Sequence, residues 1–210
     1  MGVRLLIADD HELVRSGINS LLEGTGIEVV AEASNGTETV RLAKEHNPDI
    51  VLLDIRMSDG DGLTALEELH RDLPQSKVVV LSTYDNPTYM ARAHALGASD
   101  YVLKGATSDQ LVDTIKAVAA GECPSKHGEL HKVAGTMATR QKQVDQEVSL
   151  TQRETQVLRH LALGLSNKEI GQSLSISIET VKEHVQHLLR KMDVSDRTQA
   201  AVWAVRRGLV

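Results

Sequence analysis

Five short aliphatic runs rich in β-branched residues, near 3 to 8, 27 to 33, 49 to 54, 77 to 82 and 99 to 103, are each followed by a helical pattern, and this alternation constrains the fold most. Parallel strands need long crossovers, usually helical, and these are right-handed, so successive βα units build a parallel sheet with helices on both faces. The spacing predicts such a domain from residue 3 to about 120, with a last helix from Ser108 to Ala120 stopped by Gly121. The chain contains no Phe, so its cores must be built from Leu, Val, Ile and Ala.

From Leu150 the pattern becomes purely helical. Capping boxes open two helices, Thr151-Gln152-Arg153-Glu154 and Ser166-Asn167-Lys168-Glu169, and Gly164 between them suits a left-handed stop. A third helix runs from Ser177 to about Met192, and Ser195 or Asp196 caps a fourth. Leu158, Leu161, Ile170, Leu174, Val181, Val185 and Leu188 are the expected core. The stretch 122–148 lacks sustained periodicity and reads as a linker with room for a helical stretch, which gives domains at 1–121 and 149–210.

Charge separates the same two regions. Residues 1–121 carry 10 Lys and Arg against 19 Asp and Glu, whereas residues 149–210 carry 9 against 6. An acidic unit suits a cation and a mildly basic one tolerates polyanions. No run approaches the roughly 20 apolar residues of a membrane span, and the N-terminus lacks the order of a signal peptide. Together with a single cysteine, Cys123, these features predict a cytoplasmic protein with no membrane association. Cys123, His127 and His131 have a spacing that suggests zinc, but they offer three ligands where a structural site wants four.

The chemistry concentrates at the strand ends. Asp9 and Asp10 end the first run, Asp54 ends the third, Ser82 and Thr83 follow the fourth, and Lys104 follows the fifth. In an open parallel sheet, ligands bind beyond the carboxyl ends of the strands. The three acids would repel one another unless a cation sat among them, and an all-oxygen set suits Mg²⁺. Ser82 and Lys104 can bind anionic oxygens, and Asp54 can attack phosphorus. Taken singly, each residue has a plain reading as a helix cap, a turn residue or a solvated charge. His11 reads as a surface histidine in the first helical turn.

These residues resemble the receiver domain of bacterial two-component response regulators, a doubly wound, flavodoxin-like α/β fold with five parallel strands in the order 2-1-3-4-5. The resemblance implies that Asp54 is the phosphoacceptor and that Asp9, Asp10, Asp54 and the backbone carbonyl of Arg56 hold Mg²⁺. It also implies that Ser82 and Lys104 bind the phosphoryl oxygens while Tyr101 rotates with Ser82 as the switch. Arg56 and Tyr84 occupy positions that vary within the family to set the lifetime of the phosphorylated state. Ser58 and Gly105 stand where proline is usual or common, and without the second proline a cis bond after Lys104 is costly.

In the third C-terminal helix, Ile178, Val181, Val185, Leu188, Leu189 and Met192 share one face, and Lys182, Glu183, Gln186, His187, Arg190 and Lys191 the other. With the preceding short helix this forms a helix-turn-helix whose second helix enters the major groove. Residues 150–210 resemble the LuxR-type helix-turn-helix of the NarL/FixJ family through Leu150 to Glu154, Gly164 to Ile170, Thr180 to Val185 and Lys191 to Val194. That resemblance places Lys182, Glu183 and Gln186 at base-facing positions and makes Thr151, Lys168, Thr180, Arg190 and Lys191 candidates for phosphate or supporting contacts. It puts a dimer surface on the last helix, at Val202 and Val205. The expected partners are a sensor histidine kinase, double-stranded promoter half-sites and a second copy of the chain on phosphorylation. Two alternatives remain: a phosphatase or phosphotransferase using Asp54, although haloacid-dehalogenase-like enzymes place an acid where Arg56 stands, and a protein of the same fold that binds DNA or a partner constitutively, without the switch.

Overall fold

In the computed structural model, which describes residues 2–57, 60–131, 148 and 150–209, each apolar run becomes a strand. The strands are β1 (Val3–Ala8), β2 (Ile27–Ala33), β3 (Ile50–Asp54), β6 (Lys77–Ser82) and β7 (Asp100–Leu103). A small antiparallel hairpin of β4 (Arg56–Met57) and β5 (Gly60–Asp61) follows β3 and was not foreseen from the sequence. Helices α1 (Glu12–Leu22), α2 (Gly36–His46), α3 (Gly62–Asp72), α4 (Pro87–Ala95) and α5 (Ser108–Ala119) alternate with the strands. The sheet order is β2-β1-β3-β6-β7 with all pairs parallel, which is the expected 2-1-3-4-5 order of the five sheet strands.

Period-two alternation sends successive residues to opposite faces of the sheet. On one face Leu5, Ile7, Leu52, Val79, Leu81 and Val102 pack with Ile18 and Leu22 of α1 and Leu111, Ile115 and Val118 of α5. The intervening Leu6, Val51, Leu53, Val78 and Val80 are also buried, as are Val40 and Ala43 of α2 and Leu66 and Leu69 of α3. Every residue of the central strand β3 is buried, which explains its unbroken apolar run.

Register fixes where the strand ends fall. Ala8 pairs with Leu53, Asp54 with Leu81 and Ser82 with Leu103, so the residues that close β1, β3, β6 and β7 come out at one edge.

The C-terminal helices are α6 (Gln152–Ala162), α7 (Asn167–Leu174), α8 (Ile178–Lys191) and α9 (Arg197–Arg206). Both capping boxes form, and Ser177 and Asp196 cap the last two helices. Gly164 adopts φ 79° immediately after α6, the left-handed stop its position requires. Val157, Leu158, Leu161, Ile170, Val181 and Leu188 are fully buried in one cluster, with Leu174 and Val185 partly buried at its margin. By packing, the described residues divide into two compact units, one within 2–85 and 96–131 and the other holding α4 with α6 to α9. Among the described residues no helix is long and apolar enough to cross a membrane. Ser58 and the linker positions 132–147 lie outside the described residues.

Candidate functional site

Asp9, Asp54 and Lys104 meet at the edge defined by that register. Lys104 Nζ lies 2.6 Å from Asp9 Oδ2 and donates to Asp54 Oδ2 at 2.7 Å. Asp54 Oδ1 accepts from the Arg56 backbone N–H at 2.9 Å, which orients the carboxylate toward the site. Asp9 Oδ1 accepts from the His11 N–H at 2.9 Å, and the exposed His11 ring rests 2.7 Å from Asp10 Oδ1. The only cis peptide among the described residues is Cys123–Pro124, so the bond after Lys104 is trans.

Burial pushes the Asp54 carboxyl above its ordinary value, a rise opposed by the Lys104 ammonium and the Arg56 N–H. Burial pulls Lys104 down, but its hydrogen bonds and charge pairing with Asp54 and Asp9 outweigh it and leave the ammonium above its ordinary value. The site therefore holds a poorly solvated carboxylate beside a firmly protonated amine. Such a carboxylate is a competent nucleophile, and such an amine can bind the oxygens of a phosphoryl group.

Ser82 and Tyr101, the two residues expected to switch, both bond to Tyr84. Ser82 is buried, and its Oγ accepts from the Tyr84 N–H at 3.2 Å. Tyr101 is fully buried, and its hydroxyl donates to the Tyr84 carbonyl at 2.9 Å, so both side chains hold the same loop after β6. The Arg56 guanidinium stacks over the Tyr84 ring, 5.2 Å from its centroid.

The donor set fits a hard divalent cation. Asp9, Asp10 and His11 bring potential ligand atoms within 4.8 Å of one another, and the buried Asp9 Oδ2 has the Lys104 ammonium beside it at 2.6 Å, a cation where the acids call for one. Carboxylate oxygens suit Mg²⁺, which leaves His11 as a neighbour at the rim.

In the helical unit, Lys182, Glu183, Gln186 and Arg190 form an exposed stripe on α8 opposite its buried face. Lys182 Nζ is paired with Glu179 at 3.1 Å, and Lys191 Nζ with Glu154 at 2.9 Å. Lys168 is exposed on α7, while Thr151 and Thr180 serve the starts of α6 and α8. Val202 is half-buried and Val205 buried; Trp203 packs partly into the core with the Arg207 guanidinium 5.0 Å from its ring centroid.

Sequence reasoning missed several residues that position these sites. Gly62, at the start of α3, lies against the backbone that carries Asp54; a Cβ there would sit 2.5 Å from the Asp54 carbonyl oxygen. Arg153 donates to the Leu174 carbonyl at 2.9 Å and Arg197 to the Leu165 carbonyl at 2.7 Å, tying helix ends across the helical unit. Gly171 allows close approach of the turn, since a Cβ there would sit 2.9 Å from the Ile176 carbonyl oxygen. A Gly-Leu pair opening a helix was the one available signal for Gly62; arginines reaching backbone carbonyls leave none.

The acid-lined sheet edge and the helix-turn-helix together define a receiver joined to a DNA-binding module. Residues 5–116 match the response regulator receiver domain, and residues 148–204 match the luxR family of bacterial regulatory proteins. The chain is 42% identical to the transcriptional regulatory protein LiaR of Bacillus subtilis (strain 168), covering 99% of each. It is 37% identical to the response regulator protein VraR of Staphylococcus aureus (strain NCTC 8325 / PS 47), covering 100% of each. Among solved structures it resembles the response regulator ChrA of a heme-sensing two-component system, with 33% identity, TM-score 0.51 and coverage of 100% of this chain and 99% of that one. It also resembles RcsB of Salmonella enterica serovar Typhimurium bound to promoter rprA in the presence of phosphomimetic BeF3-, with 25% identity, TM-score 0.57 and coverage of 97% and 98%. The chain belongs to the two-component response regulators that carry a LuxR-type DNA-binding domain.

Proposed function

We propose that phosphorylation of Asp54 by a sensor histidine kinase switches this regulator, promotes its dimerisation and so controls transcription from promoter half-sites. The observation that carries the reading is the Lys104 ammonium set between Asp9 and Asp54 at the edge where Ser82 also emerges. An Asp54 oxygen attacks the phosphorus of a phosphohistidine; the O–P bond forms as the P–N bond breaks. The electron pair leaves on the imidazole nitrogen, which takes a proton from solvent. Lys104 and Ser82 then bind phosphoryl oxygens, and loss of the Ser82 bond to the Tyr84 N–H frees the loop that Tyr101 also holds.

Asp9, Asp10, Asp54 and the Arg56 carbonyl would hold Mg²⁺, which supplies neutralising charge for the transferred group when bound. Val202 and Val205 are the proposed dimer contacts, and two weakly basic DNA-binding units linked in a dimer gain affinity by acting together. The domain boundaries proposed with this reading are those expected from the sequence, 1–121, 122–148 and 149–210, with residues 122–131 moved from the linker to the first unit because they pack there, and the protein is assigned to the cytoplasm, with no catalytic turnover of its own.

The test is the mass in solution and the affinity for upstream DNA, with Mg²⁺ and with or without beryllofluoride or acetyl phosphate. Dimer and DNA affinity should rise together in the wild type and stay flat in Asp54→Asn. Equal responses in both proteins would remove Asp54 from the switch, and steady hydrolysis of a phosphoester would favour an enzyme.

A further inference from the structure

The segment after α5 is fastened to the sheet by one buried side chain. Asp100, the first residue of β7, has no solvent exposure. Its Oδ2 accepts from the Ser125 N–H at 2.8 Å, and its Oδ1 accepts from the Tyr101 N–H at 2.8 Å and the Leu130 N–H at 3.4 Å. A second bond runs beside it, from the Glu129 N–H to the Tyr101 carbonyl at 2.7 Å. Ser125, Glu129 and Leu130 are buried, so residues 125–130 are a folded part of the first unit.

Local chemistry is matched to this attachment. Gly128 lies against the carboxylate, where a Cβ would sit 2.0 Å from Oδ1. The Ser125 hydroxyl oxygen accepts from the Gly128 N–H at 3.1 Å, and Gln110 of α5 donates to the His127 carbonyl at 2.9 Å. Hydrogen bonds to a carboxylate are stronger than neutral ones, and a buried amide left without its acceptor is costly.

The same strand serves the acidic site. β7 begins with Asp100, continues with Tyr101, and is followed by Lys104, whose N–H donates to the Ser82 carbonyl at 2.7 Å. Any backbone shift of β7 must either carry residues 129 and 130 with it or break their bonds.

We propose that Asp100 is a positioning residue that latches residues 125–130 to β7, so that the state of the Asp54 site is transmitted to the chain leading into the linker. This rests on the Asp54 reading above. Nothing in that reading assigns a role to Asp100, whose carboxylate touches neither the acids nor Lys104.

Hydrogen exchange of the full-length protein tests it, with Mg²⁺ and with or without beryllofluoride, in the wild type, Asp100→Asn and Gly128→Ala. In the wild type, beryllofluoride should change exchange both in peptides spanning 79–104 and in those spanning 123–131. In Asp100→Asn the basal exchange of 123–131 should rise about tenfold, the size expected from losing about one net hydrogen bond. The beryllofluoride effect on 79–104 should persist while that on 123–131 disappears. Gly128→Ala, which keeps the Asp100 side chain and drives a Cβ into its carboxylate, should reproduce this pattern if Asp100→Asn fails to fold. A wild type in which 79–104 responds and 123–131 does not would overturn the transmission, as would variants that keep both responses. Unchanged basal exchange in both variants would overturn the latch. If beryllofluoride alters nothing in the wild type, the Asp54 reading fails and transmission with it, whereas the basal exchange still decides the latch.

Discussion

Lys104 Nζ lies 2.7 Å from Asp54 Oδ2, joining the end of the fifth sheet strand to the end of the central one across the intervening β6. The contact depends on the register that pairs Asp54 with Leu81 and Ser82 with Leu103. Because the carboxylate is buried, the pair is sensitive to loss of either partner in opposite ways.

The raised Asp54 pKa means that the folded site disfavours the ionised carboxylate even after its attraction to Lys104 is counted. An unfolded Asp54 ionises near its ordinary value and the folded one at higher pH, so folding stability falls as pH rises through that window. Asp54→Asn should therefore be as stable as the wild type or more stable by up to about 1 kcal/mol at pH 7, with a flatter stability profile just above the ordinary aspartate range. Lys104→Met leaves Asp9 and Asp54 facing each other and should cost about 1 to 3 kcal/mol. The double variant should recover most of that loss. Urea denaturation at several pH values measures the cycle; an Asp54→Asn protein clearly less stable than the wild type at pH 7 would contradict the sign.

Gly62 sets how closely α3 approaches Asp54. A Cβ would meet the Asp54 carbonyl oxygen at 2.5 Å and the Ile55 Cα at 2.6 Å, both backbone atoms that cannot swing aside. Gly62→Ala should lose about 1 to 3 kcal/mol, the range for overpacking. It should also weaken beryllofluoride binding by moving the Asp54 carboxylate. Normal stability together with normal binding would show that the backbone there yields freely.

The strand ends were legible because each apolar run stops at a polar residue, and period two keeps the preceding residues in the core. Asp9, Asp54, Ser82 and Lys104 could thus be placed at one edge from sequence, and the structure brings them there. The caps of the helical unit were legible for a similar reason, since Thr151 and Ser166 each stand three residues before a glutamate. Residues 125–130 were not legible, because their anchors are backbone N–H groups and those carry no residue signature. Asp100 itself reads as an ordinary polar residue opening a strand. The hairpin of β4 and β5 is only two residues per strand, too short for any alternation to appear.

Glu154 joins two functions at the start of α6. It completes the capping box with Thr151 and pairs with Lys191 at 2.9 Å, and the Lys191 ammonium together with the Thr151 N–H draws its carboxyl down to about 2. A depressed folded pKa contributes stability that is present above the unfolded value and lost as pH falls toward about 2. Glu154→Gln should cost about 1 kcal/mol or less at pH 7, as losing half a cap and a surface pair implies, and less at pH 2, where the carboxyl is partly protonated. Thermal melts of the full chain at both pH values check this, and an equal loss at both would assign the effect to packing.

Lys182 and Lys191 should differ in what they do for DNA, although both are paired with glutamates in the free protein. Lys182 lies in the exposed stripe with Gln186 and Arg190, and its proposed contact is to base edges in the major groove. Lys182→Ala should cost about 1 to 3 kcal/mol on a specific site and much less on random DNA. Lys191 is in the last turn of α8, and its proposed contact is to phosphate. Lys191→Ala should weaken both kinds of DNA alike and reduce the salt dependence by about one charge. Glu179 competes for Lys182 at 3.1 Å and adds negative charge to the same face, so Glu179→Gln should strengthen binding at low salt, with the gain shrinking as salt rises. Titrations of specific and random duplexes at two salt concentrations separate these outcomes. Equal losses on both duplexes for Lys182→Ala would place it on the backbone, and a Glu179→Gln protein that binds no better would show that the ion pair already yields to DNA without cost.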